Sequence, residues 1–171
     1  MRGCCQVYTG NGKGKTTAAL GLALRASGAD IRVYIAQFIK GMEYSELKAL
    51  RRFSELITVE QFGRGCFILG PPQQEDITLA AKGIVRVREI LRDPTYGMVI
   101  LDEANVAEHL GLIDIETLLD LIDNRPEEVE LVLTGRYADK RIIEKADLVT
   151  EMVEVKHYYK NGTVARKGIE K

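Results

Sequence analysis

The run Thr9-Gly10-Asn11-Gly12-Lys13-Gly14-Lys15-Thr16-Thr17 is the part of this sequence best equipped for chemistry. A loop with glycine at alternate positions can turn successive backbone N–H groups into one concavity. Here a helix N-terminus and a lysine ammonium stand beside that concavity, and polyphosphate is the ligand that suits it. Gly14-Lys15-Thr16 matches the end of the pattern Gly-x-x-x-x-Gly-Lys-[Ser/Thr], with Thr9 in place of its first glycine. A glycine-rich turn without a ligand would need no lysine and threonine at the start of a helix, directly after an apolar run. In this reading Lys15 touches phosphate oxygens and the Thr16 hydroxyl helps to hold Mg²⁺. Lys13 is a second cation in the same loop, and both Lys15 and Arg136 assist by charge and position.

Further along, Met98-Val99-Ile100-Leu101 is an unbroken apolar run that ends in Asp102-Glu103. A carboxylate at the end of a buried strand, facing a phosphate loop, can bind Mg²⁺ directly or through water. Strand alternation sends the two acids to opposite sides and leaves open which of them meets the metal. Thr134-Gly135-Arg136 ends another apolar run, and Arg136 offers a phosphate or ribose contact. The loop at 63–70 is glycine-rich yet carries Phe67, Ile68 and Leu69. Either it folds back on the core or it lines a site for a large apolar ligand. His109 and His157 read as structural. The candidate site holds no catalytic histidine or cysteine nucleophile, which for an enzyme suits an acceptor of the nucleotide's group that brings its own.

Apolar, strand-like runs at 5–8, 31–38, 57–62, 98–101, 130–133 and 148–155 position these groups. Helix-like runs at 15–27, 43–53, 77–91, 115–122 and 139–146 alternate with them. The clearest helix has Ile77, Ala80, Ile84, Val87 and Leu91 at spacings of three and four. This alternation predicts an α/β fold of parallel βαβ units, a mainly parallel sheet flanked by helices. A C-terminal hairpin is expected over 156–169, turning at Asn161-Gly162. In an open parallel sheet ligands sit at the carboxyl ends of the strands, which is where the glycine loop, Asp102-Glu103 and Arg136 should meet.

At 171 residues the chain reads as a single domain, 1–171. Its net charge of −1 gives no electrostatic footprint for nucleic acid. No stretch approaches a membrane span, and the first residues lack the apolar region of a signal peptide. The 3 cysteines have no Cys-x-x-Cys spacing, which fits incidental thiols in a reducing, cytoplasmic setting.

Several of these pieces occur in a familiar order. After the loop at 9–17 come Gln37-Phe38-Ile39-Lys40-Gly41 and Val99-Ile100-Leu101-Asp102-Glu103. Then follow Asn124-Arg125-Pro126, Leu133-Thr134-Gly135-Arg136, Ala146-Asp147 and Lys156-His157. Over essentially its whole length the chain resembles the P-loop type of ATP:corrinoid (cob(I)alamin) adenosyltransferase. The Thr9 departure fits that family's form of the loop. The resemblance implies a RecA-like P-loop architecture and transfer of the 5′-deoxyadenosyl group of ATP to the reduced cobalt of cobalamin or a corrinoid precursor, with release of triphosphate. It implies that Gly10, Asn11, Gly12, Lys13, Gly14, Lys15, Thr16 and Thr17 hold the nucleotide, with Asn11 near the ribose. It implies that Thr16 and Glu103 serve Mg²⁺, and that ATP binds in the reverse sense to ordinary P-loop enzymes. The loop at 63–70 corresponds to the corrinoid-facing segment. Some members carry a phenylalanine and a tryptophan there, whereas this chain has Phe67 and no tryptophan. Some members also have an N-terminal arm over the partner subunit's site, for which few residues precede the first strand here. A homodimer and a flavoprotein reductant are further implications. The alternatives are a small phosphotransferase, such as a nucleoside kinase, in which Glu103 is recruited as base, and a RecA-like ATPase switch.

Overall fold

The computed structural model describes residues 2–65 and 70–170. Six strands form one sheet: β1 (Cys5–Thr9), β2 (Arg32–Phe38), β3 (Ile57–Phe62), β4 (Tyr96–Asp102), β5 (Glu130–Thr134) and β6 (Leu148–Glu151). Their order is β3-β2-β4-β5-β1-β6, and every neighbouring pair is parallel. Six helices connect them: α1 (Lys15–Ser27), α2 (Ser45–Leu50), α3 (Gln74–Leu91), α4 (Ala104–His109), α5 (Ile115–Asp123) and α6 (Lys140–Lys145).

The period-2 alternation of each strand sorts its apolar side chains into two cores. Val33, Ile35, Met98, Ile100 and Val132 face Ala19, Ala23 and Ala26 of α1 on one side. Tyr34, Ala36, Phe38, Val99, Leu101, Leu131 and Leu133 face α3 and α5 on the other. Burial on both faces explains why the central strands read as unbroken apolar runs. The small residues of α1 let that helix lie close to the sheet. Its N-terminus, and the loop before it, are thereby fixed at the carboxyl edge.

The tail departs from expectation. β6 stops at Glu151, and no strand follows it among the described residues. In place of a hairpin, Tyr158–Asn161 forms a 3-10 turn that starts when the Tyr159 N–H donates to His157 Nδ1 at 3.1 Å. Gly162 does take the left-handed conformation expected of it (φ 82°), but as the cap of that turn. The physical reason is that β6 is an edge strand and its continuation finds nothing to pair with. Val153, Val155 and Val164 are 68%, 93% and 74% exposed, so their apolar alternation buries nothing. The helix expected at 43–53 is split into α2 and a 3-10 turn at Arg51–Phe53, and α4 was not foreseen.

Candidate functional site

The glycine loop leaves β1 at Thr9 and enters α1 through Gly14, whose φ of 120° only glycine adopts readily. The chain leaving β6 braces it. Met152 N–H donates to the Thr9 carbonyl at 2.9 Å, and Gly12 N–H donates to the Met152 carbonyl at 2.6 Å. A Cβ at Gly10 or Gly12 would lie 2.5 or 2.6 Å from that carbonyl oxygen, so both positions must be glycine. Thr9 uses its hydroxyl to accept from Ala138 N–H at 3.4 Å, which ties the loop to the segment after β5. Lys15 is 7% exposed and folds back over the loop. Its ammonium donates to the carbonyls of Gly10 (2.7 Å) and Gly12 (2.8 Å). Burial pulls the Lys15 pKa below its ordinary value, against the opposing charge of Glu103.

Asp102 is the centre of a second cluster. It is 1% exposed. Its Oδ1 accepts from the hydroxyls of Thr16 (2.9 Å) and Thr134 (2.7 Å). Its Oδ2 accepts from Lys40 Nζ (2.7 Å) and Gln37 Nε2 (3.1 Å). These partners come from α1, β5, the segment after β2, and β2 itself. The strand order explains the geometry: β5 lies between β1 and β4, so Thr134 fills the gap between the glycine loop and the acid.

Glu103 does not go to the opposite face. Its backbone is left-handed (φ 60°), which breaks the strand alternation, and its side chain joins the same site. Its N–H donates to Thr134 Oγ1 at 3.0 Å. Burial, followed by the neighbouring Asp102 charge, pushes the Glu103 pKa up, against Lys40, Lys15 and Arg136. Together Ile39, Lys40, Tyr44, Glu103, Val106, Arg136 and Tyr137 line a cavity of about 290 Å³. Ile39 (φ 66°), Glu103 (φ 60°) and Tyr137 (φ 63°) are all left-handed non-glycine residues. They follow the ends of β2, β4 and β5 respectively. Such residues cost on the order of 1–3 kcal/mol each, and their clustering around one cavity makes it the candidate site. A larger, more open concavity of about 650 Å³ lies on the outer side of α3, lined by Glu60, Phe62, Ile77 and Arg86 among others. The end of one strand reaches it, that of β3 at Phe62, whereas the ends of β2, β4 and β5 meet at the smaller cavity.

The structure therefore brings together Gly10, Gly12, Gly14, Lys15, Thr16, Asp102, Glu103 and Arg136. Asn11 and Lys13 of the loop and Thr17 in the first turn of α1 are exposed. Lys13 turns towards the C-terminal tail, donating to the Ile169 carbonyl (3.0 Å) and Glu170 (3.3 Å). Phe67 lies outside the described residues, as do Cys66, Ile68 and Leu69. Sequence reasoning missed Lys40, Gln37 and Thr134 as site residues. A signal was available for Lys40, a cation just past the carboxyl end of a parallel strand.

Residues 1–170 match the family described as ATP:corrinoid adenosyltransferase BtuR/CobO/CobP. The chain is 40% identical over 170 residues to the corrinoid adenosyltransferase of Pseudomonas aeruginosa, covering 99% of this chain and 84% of that protein. It is 34% identical over 171 residues to the corrinoid adenosyltransferase of Escherichia coli, covering 99% and 86%. Among solved structures, the KaiC-like protein of Pyrococcus horikoshii superposes with a TM-score of 0.54 at 14% identity, over 91% of this chain and 74% of that one. The cytoplasmic domain of EssC gives 0.57 at 18% identity, over 96% and 34%. These two likenesses concern the fold, a P-loop NTPase architecture. The match along the whole chain, together with the braced glycine loop and the Asp102 cluster, places this protein in the ATP:corrinoid adenosyltransferase family.

Proposed function

We propose that this ATP:corrinoid adenosyltransferase works by position and charge, with no acid or base of its own in the transfer step. The acceptor is cobalt(I), which carries a nucleophilic electron pair and no proton to remove. In the step, a cobalt–carbon bond forms at C5′ of ATP and the C5′–O5′ bond breaks. The electron pair of that bond leaves on triphosphate. What the protein must supply is a grip on the triphosphate and stabilisation of the charge that grows on it. The observation that carries the reading is the strand-end cavity that Lys40, Glu103 and Arg136 line together with Ile39, Tyr44 and Val106, with the Lys15 ammonium on the glycine loop close enough to feel the charges of Glu103 and Arg136.

Thr16, Asp102 and Glu103 fit a Mg²⁺ ion that arrives with ATP. Among the described residues no group of three or more His, Cys, Asp or Glu could hold a metal ion by itself. Mg²⁺ is commonly held by one or two carboxylates together with substrate phosphates and water, and this corner offers that partial set of oxygens. When bound, the ion would neutralise part of the charge on the leaving polyphosphate. The loop at 63–70 is the corrinoid-facing segment in this reading. It would present apolar surface to the ring and exclude the axial water that opposes reduction of the cobalt. A flavoprotein reductant, a homodimer and a cytoplasmic location belong to the same reading, on family grounds. Free Cys4 and Cys5 thiols are compatible with a reducing compartment. No helix among the described residues is long and apolar enough to cross a membrane.

The test is incubation with ATP, Mg²⁺ and chemically reduced cobalamin. The expected result is the absorption change of cobalt–carbon bond formation, with one triphosphate released per corrinoid. ADP as the product would mean phosphoryl transfer and would overturn the reading.

A further inference from the structure

Lys40 plays no metal-binding part in the mechanism above, yet it occupies the corner where the metal would sit. It lies two residues past β2, beyond the left-handed Ile39, and its side chain is only 18% exposed. The ammonium is 2.7 Å from Asp102 Oδ2 and 3.2 Å from Thr16 Oγ1. A P-loop hydroxyl and a strand-end carboxylate are the pair of protein groups that holds a divalent cation in P-loop enzymes. In the structure that pair is already engaged by a cation of the chain's own.

The arrangement has a physical cause. A carboxylate as buried as Asp102 is strongly disfavoured unless an opposite charge lies beside it. Gln37 and Thr134 supply hydrogen bonds without charge, and Lys40 supplies the charge. A divalent ion on Thr16 and Asp102 could not share them with an ammonium at hydrogen-bond distance, because like charges that close repel strongly. Lys40 has somewhere to go, since it also lines the cavity that holds Glu103 and Arg136. Its flexible four-carbon stem allows the move.

We propose that Lys40 is an exchangeable placeholder for the metal, holding Asp102 and Thr16 until Mg²⁺ arrives with ATP and then turning to the polyphosphate. This rests on the reading of Thr16 and Asp102 as metal-holding groups. It makes Lys40 a positioning residue that couples metal entry to nucleotide entry. Metal alone must displace an ammonium whose other carboxylate neighbours, Glu103 and Glu46, each carry less charge than a polyphosphate anion. Metal with polyphosphate brings that anion along, so the two bind with positive cooperativity.

The experiment titrates Mn²⁺ alone, followed by its electron paramagnetic resonance, into the nucleotide-free full chain as wild type, Lys40→Gln and Lys40→Arg. Lys40→Gln should bind Mn²⁺ at least about tenfold more tightly than wild type, because the competing charge is gone. Its Tm should fall in EDTA and recover with Mn²⁺. Lys40→Arg keeps the charge and should stay as weak as wild type. Equal affinities in wild type and Lys40→Gln would overturn the proposal. Should Lys40→Gln fail to fold in EDTA, Lys40→Met, which keeps the apolar stem, takes its place. Folding of either variant only when Mn²⁺ is present would support the exchange, and failure of both even with Mn²⁺ would refute it. Adenosyl transfer by wild type, with Mg²⁺ and in EDTA, is scored in parallel. Equal Mn²⁺ affinities with Mg²⁺-dependent transfer intact would remove the placeholder and leave the functional reading standing. Undiminished transfer in EDTA would remove the metal-site reading and the placeholder with it.

Discussion

At the phosphate end of the site, Asp102 is held by four side chains from three separate stretches of chain, and the glycine loop is pinned by Met152 on one side and Ala138 on the other. At the other end, the segment that begins at Gly63 is fixed at its feet. A side chain at Gly63 would run into the backbone of Ile39, so the ends of β2 and β3 approach closely there. Arg64 grips Asp76 at 2.6 and 2.8 Å and Gln73 at 2.6 Å, and Asp76 in turn accepts from Gln73 N–H as part of the capping box of α3. Between these feet the sequence is Cys66-Phe67-Ile68-Leu69. In the proposed reading the two ends serve different ligands. Triphosphate is small, highly charged and the same in every turnover, so its site can be fixed atom by atom. A corrin ring is broad and apolar, and is met by surface rather than by a few hydrogen bonds.

If the two ends are separable, Lys15→Ala should abolish ATP binding and lower the transfer rate by about 10³-fold, as loss of a charged group on developing negative charge does. The Tm should hardly change, since the bonds lost go to two loop carbonyls and not to the core. Corrinoid binding, measured by quenching or by spectral shift, should stay as in wild type. Loss of corrinoid binding together with ATP binding would show that the ends form one unit, and retained turnover would remove Lys15 from the site.

The same contrast decides how much of the molecule could be read from its sequence. The glycine loop, the Asp102 strand and Arg136 were legible because each combines a residue type with a position at a strand end. The sheet flanked by helices was legible because strands buried on both faces read as unbroken apolar runs. Thr134 and Gln37 were not, because a neutral side chain that hydrogen-bonds a buried acid has no pattern in one dimension. It depends on β5 lying between β1 and β4, a matter of strand order that local sequence does not encode. Glu103 was misplaced for a related reason. The alternation rule assumes extended backbone, and a left-handed residue at a strand end breaks it. The tail was misread because Asn161-Gly162 suits several turns, and only a partner strand would select the hairpin.

A smaller effect probes the corrinoid end. Arg64→Ala removes the bidentate grip on Asp76 and loosens one foot of the segment, while Phe67→Ala removes its aromatic side chain. Each should raise the KM for the corrinoid by about tenfold, the scale of a lost apolar contact or charged pair at a partly exposed site. The KM for ATP should not move. Steady-state kinetics with each substrate varied in turn makes the check, and equal rises in both KM values would assign these residues a structural role.

The smallest expected effect sharpens the phosphate end, where a charge is kept at a cost to the fold. Burial and Asp102 raise the pKa of Glu103 above its ordinary 4.5, so the folded protein favours the protonated acid more than the unfolded chain does. The sign follows by linkage. The stability contributed by that protonated form is fully present below 4.5 and is lost as pH rises through the elevated value. Near neutrality the buried carboxylate therefore works against folding in the nucleotide-free protein. Glu103→Gln keeps the shape and removes the charge. It should raise the Tm near pH 7.5 by about 2–4 °C, the shift that about 1 kcal/mol produces in a chain of this size. The gain should shrink on acidification and vanish below about pH 4.5, where wild type carries the proton as well. Thermal melts of both proteins across that range, with neither nucleotide nor metal added, make the comparison. A Tm gain independent of pH would mean that Glu103 is not held against its own charge. A Tm loss near neutrality would mean that the carboxylate is tied into the fold as firmly as Asp102, and that the phosphate end carries no charge beyond what its own partners satisfy.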